Sequence, residues 1–125
     1  MRVLIVDDYD DAAEASALLL DIMGHETCIA KTGAEALEQF EAYRPDILLL
    51  DIGLPDLSGY EVAREIRLRD RGRIIFIVAL TGWGSETDRA TSAAAGIDMH
   101  VLKPPTGAKF EEIFVAAKAQ LSVPA

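Results

Sequence analysis

Residues 46–61 read Asp-Ile-Leu-Leu-Leu-Asp-Ile-Gly-Leu-Pro-Asp-Leu-Ser-Gly-Tyr-Glu. Asp46 to Leu50 reads as a strand, its apolar run without polar alternation, the pattern of a strand covered on both faces. It ends at Asp51. Gly53-Leu54-Pro55-Asp56-Leu57-Ser58-Gly59 then reads as a loop by its Pro and Gly content. Helical spacing resumes beyond it, with Val62 and Ile66 inward and Arg64, Arg67 and Arg69 outward.

The same strand-then-helix unit recurs on both sides. Upstream, Val3-Leu4-Ile5-Val6 ends at Asp7 and Asp8. A helix from about Asp10 to Met23 carries Ala15, Leu18, Leu19 and Ile22 on one face and stops at Gly24, a left-handed cap. Thr27 to Ala30 is a second strand. Thr32 with Glu35 forms a capping box, opening a helix with Ala36, Leu37 and Phe40 inward, and Pro45 ends that stretch. Downstream, Ile74 to Leu80 is a strand ending at Thr81, and Gly82-Trp83-Gly84 is a turn. An alanine-rich helix runs from about Ser85 to Ala95, with Ala90, Ala93 and Ala94 as its inward face, and stops at Gly96. Met99 to Leu102 is a short strand ending at Lys103, and the last helix presents Phe110, Ile113, Phe114, Ala117 and Leu121 on one side.

Buried strands alternating with helices imply an α/β fold: a doubly wound, five-stranded parallel sheet with helices on both faces. The expected order is 2-1-3-4-5, flavodoxin-like, with residues 1–125 as one domain. In such sheets ligands bind beyond the carboxyl ends of the strands, where the first and third strands part.

Half of the 125 residues are apolar, enough for a packed core, and the net charge is −9. So acidic a surface argues against direct nucleic-acid binding. Cys28 is the only cysteine, which excludes an intramolecular disulfide and fits a reducing compartment; in its apolar run it reads as a buried, inert thiol. Val3 to Val6 is too short for the core of a signal peptide, and no apolar run approaches the roughly 20 residues that span a bilayer. A soluble cytoplasmic protein is expected.

The strand ends carry the chemistry. Asp7 and Asp8 follow the first strand, Asp51 the third, Thr81 the fourth and Lys103 the fifth. Asp after a strand is commonly a helix cap, and Thr commonly belongs to a turn. Capping gives no reason for a lysine at the same edge, so the joint pattern points to a site. Carboxylates crowded together repel unless a cation neutralises them, and Mg²⁺ suits an all-oxygen set. With that charge screened, Asp51 can take a phosphoryl group as an acyl phosphate, while Lys103 offers a positive charge and Thr81 a hydroxyl to its oxygens.

On these residues the chain resembles the receiver domain of two-component response regulators. Val6-Asp7-Asp8 is similar to the family's acidic pair, and Leu50-Asp51-Ile52-Gly53-Leu54-Pro55-Asp56-Leu57-Ser58-Gly59-Tyr60-Glu61 to its phosphoacceptor segment. Ala79-Leu80-Thr81-Gly82 matches the hydroxyl motif and Lys103-Pro104 the lysine motif. The resemblance implies that a histidine kinase or phosphotransfer protein phosphorylates Asp51. It also implies that Asp8 and Asp51 ligate Mg²⁺ most directly, with Asp7 partly through water and the Gly53 backbone carbonyl as a further ligand. It implies a cis peptide at Lys103-Pro104, and a phosphorelay switch, not an enzyme, whose output passes to a protein partner or a linked domain.

One position departs from the family pattern. A Tyr or Phe usually stands three residues before the lysine as a rotamer switch coupled to the hydroxyl; here it is His100. Either a packed surface histidine or a titratable switch fits that position. Trp83, between two glycines and two residues past Thr81, is expected near the site. The alanine-rich helix, lacking a large anchor, is expected to dock weakly and to form an output surface with the last strand and helix.

Two rivals remain open at this point. Haloacid-dehalogenase phosphatases share the aspartate nucleophile and Mg²⁺, and Asp8-Tyr9-Asp10 has their Asp-x-Asp spacing. Ala12 stands where they prefer Thr or Val, no acidic pair follows the fourth strand, and there is no room for a substrate cap. The other rival is a pseudo-receiver that binds partners without phosphate, though such domains usually lose a key residue and none is lost here.

Overall fold

A computed structural model describes residues 1–69, 75–82 and 89–121. The elements are β1 (Arg2–Val6), α1 (Asp10–Ile22), β2 (Glu26–Ala30), α2 (Gly33–Tyr43), β3 (Ile47–Asp51), α3 (Gly59–Arg69), β4 (Phe76–Thr81), α4 (Arg89–Ala95), β5 (Met99–Leu102) and α5 (Gly107–Leu121). All strand pairings are parallel, in the order β2-β1-β3-β4-β5. This is the expected doubly wound sheet.

Strand alternation divides the core into two layers. Val3, Ile5, Leu49, Val78 and Leu80 pack with Leu20 of α1 and with Phe110 and Ile113 of α5. Leu4, Val6, Leu48, Leu50 and Ile77 face the other way, onto Ala36 and Phe40 of α2, Val62 and Ile66 of α3 and Ala95 of α4. Each large side chain buried here contributes roughly 1.5–3 kcal/mol. The helix stops follow their local signals. Gly24 takes φ +91° after α1, and the Thr32 hydroxyl accepts from the Glu35 amide at 3.0 Å to open α2.

Three expected faces are corrected. On α1 the buried residues are Ala13, Ser16 and Leu20; Ala15 is exposed, Leu18 is 63% exposed and Ile22 75%, while Leu19 is half-buried. Both sets of positions obey the helical period, and the small Ala13 and Ser16 let this helix approach the sheet closely. On α4, Ala90, Ala93 and Ala94 are exposed, and Ser92 and Ala95 are buried. A run of alanines has no contrast from which to read phase. Arg67 of α3 points inward: its guanidinium reaches the carbonyls of Ile75 and Gly96 at 2.7 Å and Asp98 Oδ2 at 2.7 Å. The fourth strand is seen from Phe76, and the expected starts at Ile74 and Ser85 lie outside the described residues.

Candidate functional site

Parallel strands of matched register end together, so their last residues share one edge. Leu50 pairs with Val6 and Ala79, and Thr81 with Leu102. Asp7 therefore comes one step past β1 beside Asp51, the last residue of β3. Carboxylate oxygens of Asp7, Asp8 and Asp51 lie within 4.8 Å of one another. Asp7 and Asp51 are buried, at 3% and 6% exposure, and Asp8 is exposed.

Each buried acid is held by its own loop. Asp7 Oδ1 accepts from the Tyr9 amide at 3.0 Å, and Asp51 Oδ1 accepts from the Gly53 amide at 3.0 Å. The other oxygen of Asp51, Oδ2, is 3.0 Å from Lys103 Nζ. Lys103 follows β5 directly, and its peptide bond to Pro104 is cis, as expected. Burial pushes the Asp7 carboxyl above its ordinary value; the Tyr9 amide and the Lys103 charge draw it down, and the Asp51 and Asp8 charges push it up.

Thr81 closes β4 at the same edge, half-buried, with its hydroxyl 3.5 Å from the Val101 carbonyl. His100 is half-buried on β5, opposite Ala79. Asp10 belongs to the first turn of α1, where it pairs with Lys31 at 2.8 Å. The Asp8-x-Asp10 spacing therefore does not put both acids in the cluster. Cys28 is half-buried, its thiol 3.5 Å from Gln39 Oε1. Trp83 lies outside the described residues.

The donor set fits a hard divalent cation. Ligand oxygens around six-coordinate Mg²⁺ stand about 2.9 Å apart when adjacent and about 4.2 Å when opposite, as its roughly 2.1 Å bonds require. The observed spread of up to 4.8 Å is close to that range and leaves room for water among the ligands.

Two neighbouring features were not legible in the sequence. A cavity of about 280 Å³ lies between α1 and the start of α5, lined by Asp7, Ser16, Leu19, Lys103, Pro105 and Phe110 among others. Ala12, Ala15, Ser16 and Leu19 of α1 form one wall of it. The second is Asp56, whose carboxylate crosses from the loop after Asp51 to the amides of Gly33 and Ala34 at 2.7 and 3.0 Å. A loop aspartate beside Pro55 has no local signal for a contact so distant in sequence.

A family model described as the response regulator receiver domain matches residues 3–114. The polar-differentiation response regulator DivK of Brucella anthropi is 32% identical over 110 residues, covering 88% of this chain and 89% of that protein. Response regulator MprA of Mycobacterium avium is 38% identical over 104 residues, covering 83% of this chain. The chain spans 45% of MprA and 39% of another curated relative. Among solved structures, a CheY-like response regulator receiver domain protein of Methanospirillum hungatei superposes with a TM-score of 0.84 at 30% identity, covering 95% of this chain and 94% of its own.

Proposed function

The chain belongs to the response regulator receiver domain family, and on that premise we propose that it is a phosphorelay switch in which Asp51 accepts a phosphoryl group from a histidine kinase or phosphotransfer protein. The observation that carries this reading is the setting of Asp51: buried, 3.0 Å from Lys103 Nζ and within 4.8 Å of the Asp7 and Asp8 oxygens. The family is one of signalling proteins, and residues 1–125 act as one receiver unit on this reading.

Asp7, Asp8 and Asp51, with the Gly53 backbone carbonyl, would hold Mg²⁺, which supplies positive charge to the acids and to the incoming phosphoryl oxygens. An oxygen of Asp51 attacks phosphorus, the bond from phosphorus to the donor's histidine nitrogen breaks, and its electron pair leaves with the imidazole. Lys103 shifts from Asp51 Oδ2 to a phosphoryl oxygen, and the Thr81 hydroxyl donates to another. Thr81 movement then biases His100 and the surface of α4, β5 and α5, where a protein partner or a linked domain reads the state. Nucleic acid is not contacted directly. Action in the cytoplasm is part of this reading; among the described residues no helix is long and apolar enough to cross a membrane.

The test is intact mass after incubation with a small acyl-phosphate donor and Mg²⁺. Wild type should gain one phosphoryl group, and Asp51→Asn none. No gain in wild type makes the chain a pseudo-receiver, and continuous turnover of a phosphomonoester makes it a phosphatase.

A further inference from the structure

The loop between Asp51 and α3 has no regular structure, yet it carries the amide that orients the acceptor. Gly53 N–H holds Asp51 Oδ1 at 3.0 Å, which leaves Oδ2 to Lys103. That loop is fastened at two further places. Its ends are tied by the Gly59 amide, which donates to the Ile52 carbonyl at 2.9 Å. Its middle is pinned to the start of α2. There Asp56 uses both oxygens, Oδ1 on the Gly33 amide and Oδ2 on the Ala34 amide. Leu57 seats beside the same residue: a Cβ on Gly33 would stand 2.9 Å from Leu57 Cβ, so only glycine admits this approach.

We propose that Asp56 is a positioning residue for the acceptor site, holding the 52–58 loop on the N-terminus of α2 so that Gly53 keeps Asp51 oriented. The inference rests on the reading of Asp51 as phosphoacceptor. Its chemistry is a charge-assisted fork: a carboxylate accepts from free amides at the positive end of an 11-residue helix. Those amides hold the Asp56 carboxyl below the usual carboxylate range. Thr32, the residue next to the helix, caps only the Glu35 amide; the two amides before it are met from the acceptor loop. A cap supplied from the acceptor loop fixes the loop as well as the helix.

Thr32 also supplies the control. Thr32→Ala removes a cap from α2 and leaves the loop fastened; Asp56→Ala removes a cap and frees the loop. Mg²⁺ titration, followed by the Gly53 amide resonance, should show affinity about tenfold weaker in Asp56→Ala, and within about twofold of wild type in Thr32→Ala. Phosphorylation by a small acyl phosphate should slow in Asp56→Ala at limiting Mg²⁺ and recover at saturating Mg²⁺. Asp56→Asn, which retains one acceptor oxygen, should fall between, and it covers the case in which Asp56→Ala does not fold. Equal weakening in Asp56→Ala and Thr32→Ala overturns the inference, as does unchanged affinity in both Asp56 variants. A wild-type chain that neither binds Mg²⁺ nor takes a phosphoryl group overturns the phosphoacceptor reading and this inference together.

Discussion

The two edges of the sheet handle charge in opposite ways. Where β4 and β5 begin, Arg67 and Asp98 form a 2.7 Å ion pair whose remaining groups are also engaged. Arg67 donates to the Gly96 and Ile75 carbonyls, and Asp98 accepts from the Ile77 amide at 2.8 Å and from Gln120 at 3.1 Å. One cation meets one anion, and the contacts tie α3, the end of α4, β4 and α5 together. Where β1, β3 and β5 end, Asp7, Asp8 and Asp51 share Lys103, and among the described residues two negative charges stay uncompensated within the cluster. The first arrangement is complete as it stands. On the proposed reading the second is completed by a cation and a transferable anion, which is what a switch requires.

Breaking the closed edge should have the largest effect on stability. Arg67→Ala leaves the Asp98 carboxylate without its cation and the Ile75 and Gly96 carbonyls without these donors. Removing one member of a fully buried pair costs about 3–5 kcal/mol; these side chains are 27% and 19% exposed, so the loss should be smaller, about 2 kcal/mol. Urea unfolding measures it; a loss below about 1 kcal/mol would mean that the network is only surface decoration. At the open edge the effect should fall on chemistry as well. Lys103→Met should slow phosphorylation by a small acyl phosphate about a hundredfold, as loss of one preorganised charge donor does. A rate near wild type would remove Lys103 from the reaction.

The open edge was legible in the sequence and the closed one was not, for a physical reason. Asp7, Asp8, Asp51, Thr81 and Lys103 announce themselves because each ends a run of apolar residues, and parallel strands bring such ends together whatever the helices do. The sheet order followed from the same runs. Arg67 sits on a helix where an arginine reads as solvated, and only the turn at Gly96 and Asp98, which is distant in sequence, draws it in. Asp56 is hidden in the same way by its contact with α2. The phases of α1 and α4 were misread because periodicity fixes the spacing of a face but not which of two small-residue faces the sheet selects. Leu18 and Ile22 had the hydrophobicity, and Ala13 and Ser16 had the fit.

The smallest expected effect is the one that separates the two edges by sign. Asp7→Asn keeps an oxygen for the Tyr9 amide and removes one of the crowded charges. Because burial and the neighbouring acids raise the Asp7 carboxyl above 3.8, the folded chain binds that proton more tightly than the unfolded chain does. Asp7 therefore opposes folding while ionised, and its contribution should improve as pH falls from neutral through the raised folded value, levelling off below 3.8. Without divalent cations, Asp7→Asn should then be more stable than wild type near neutral pH, on the order of 1 kcal/mol, and should lack this part of the pH dependence. With millimolar Mg²⁺ the order should reverse, since wild type gains binding free energy that the variant loses. Thermal melts of both chains, with chelator and with Mg²⁺, test the crossing. A variant less stable in both conditions would mean that Asp7 is compensated as fully as Asp98, and the distinction between an open and a closed edge would fall with it.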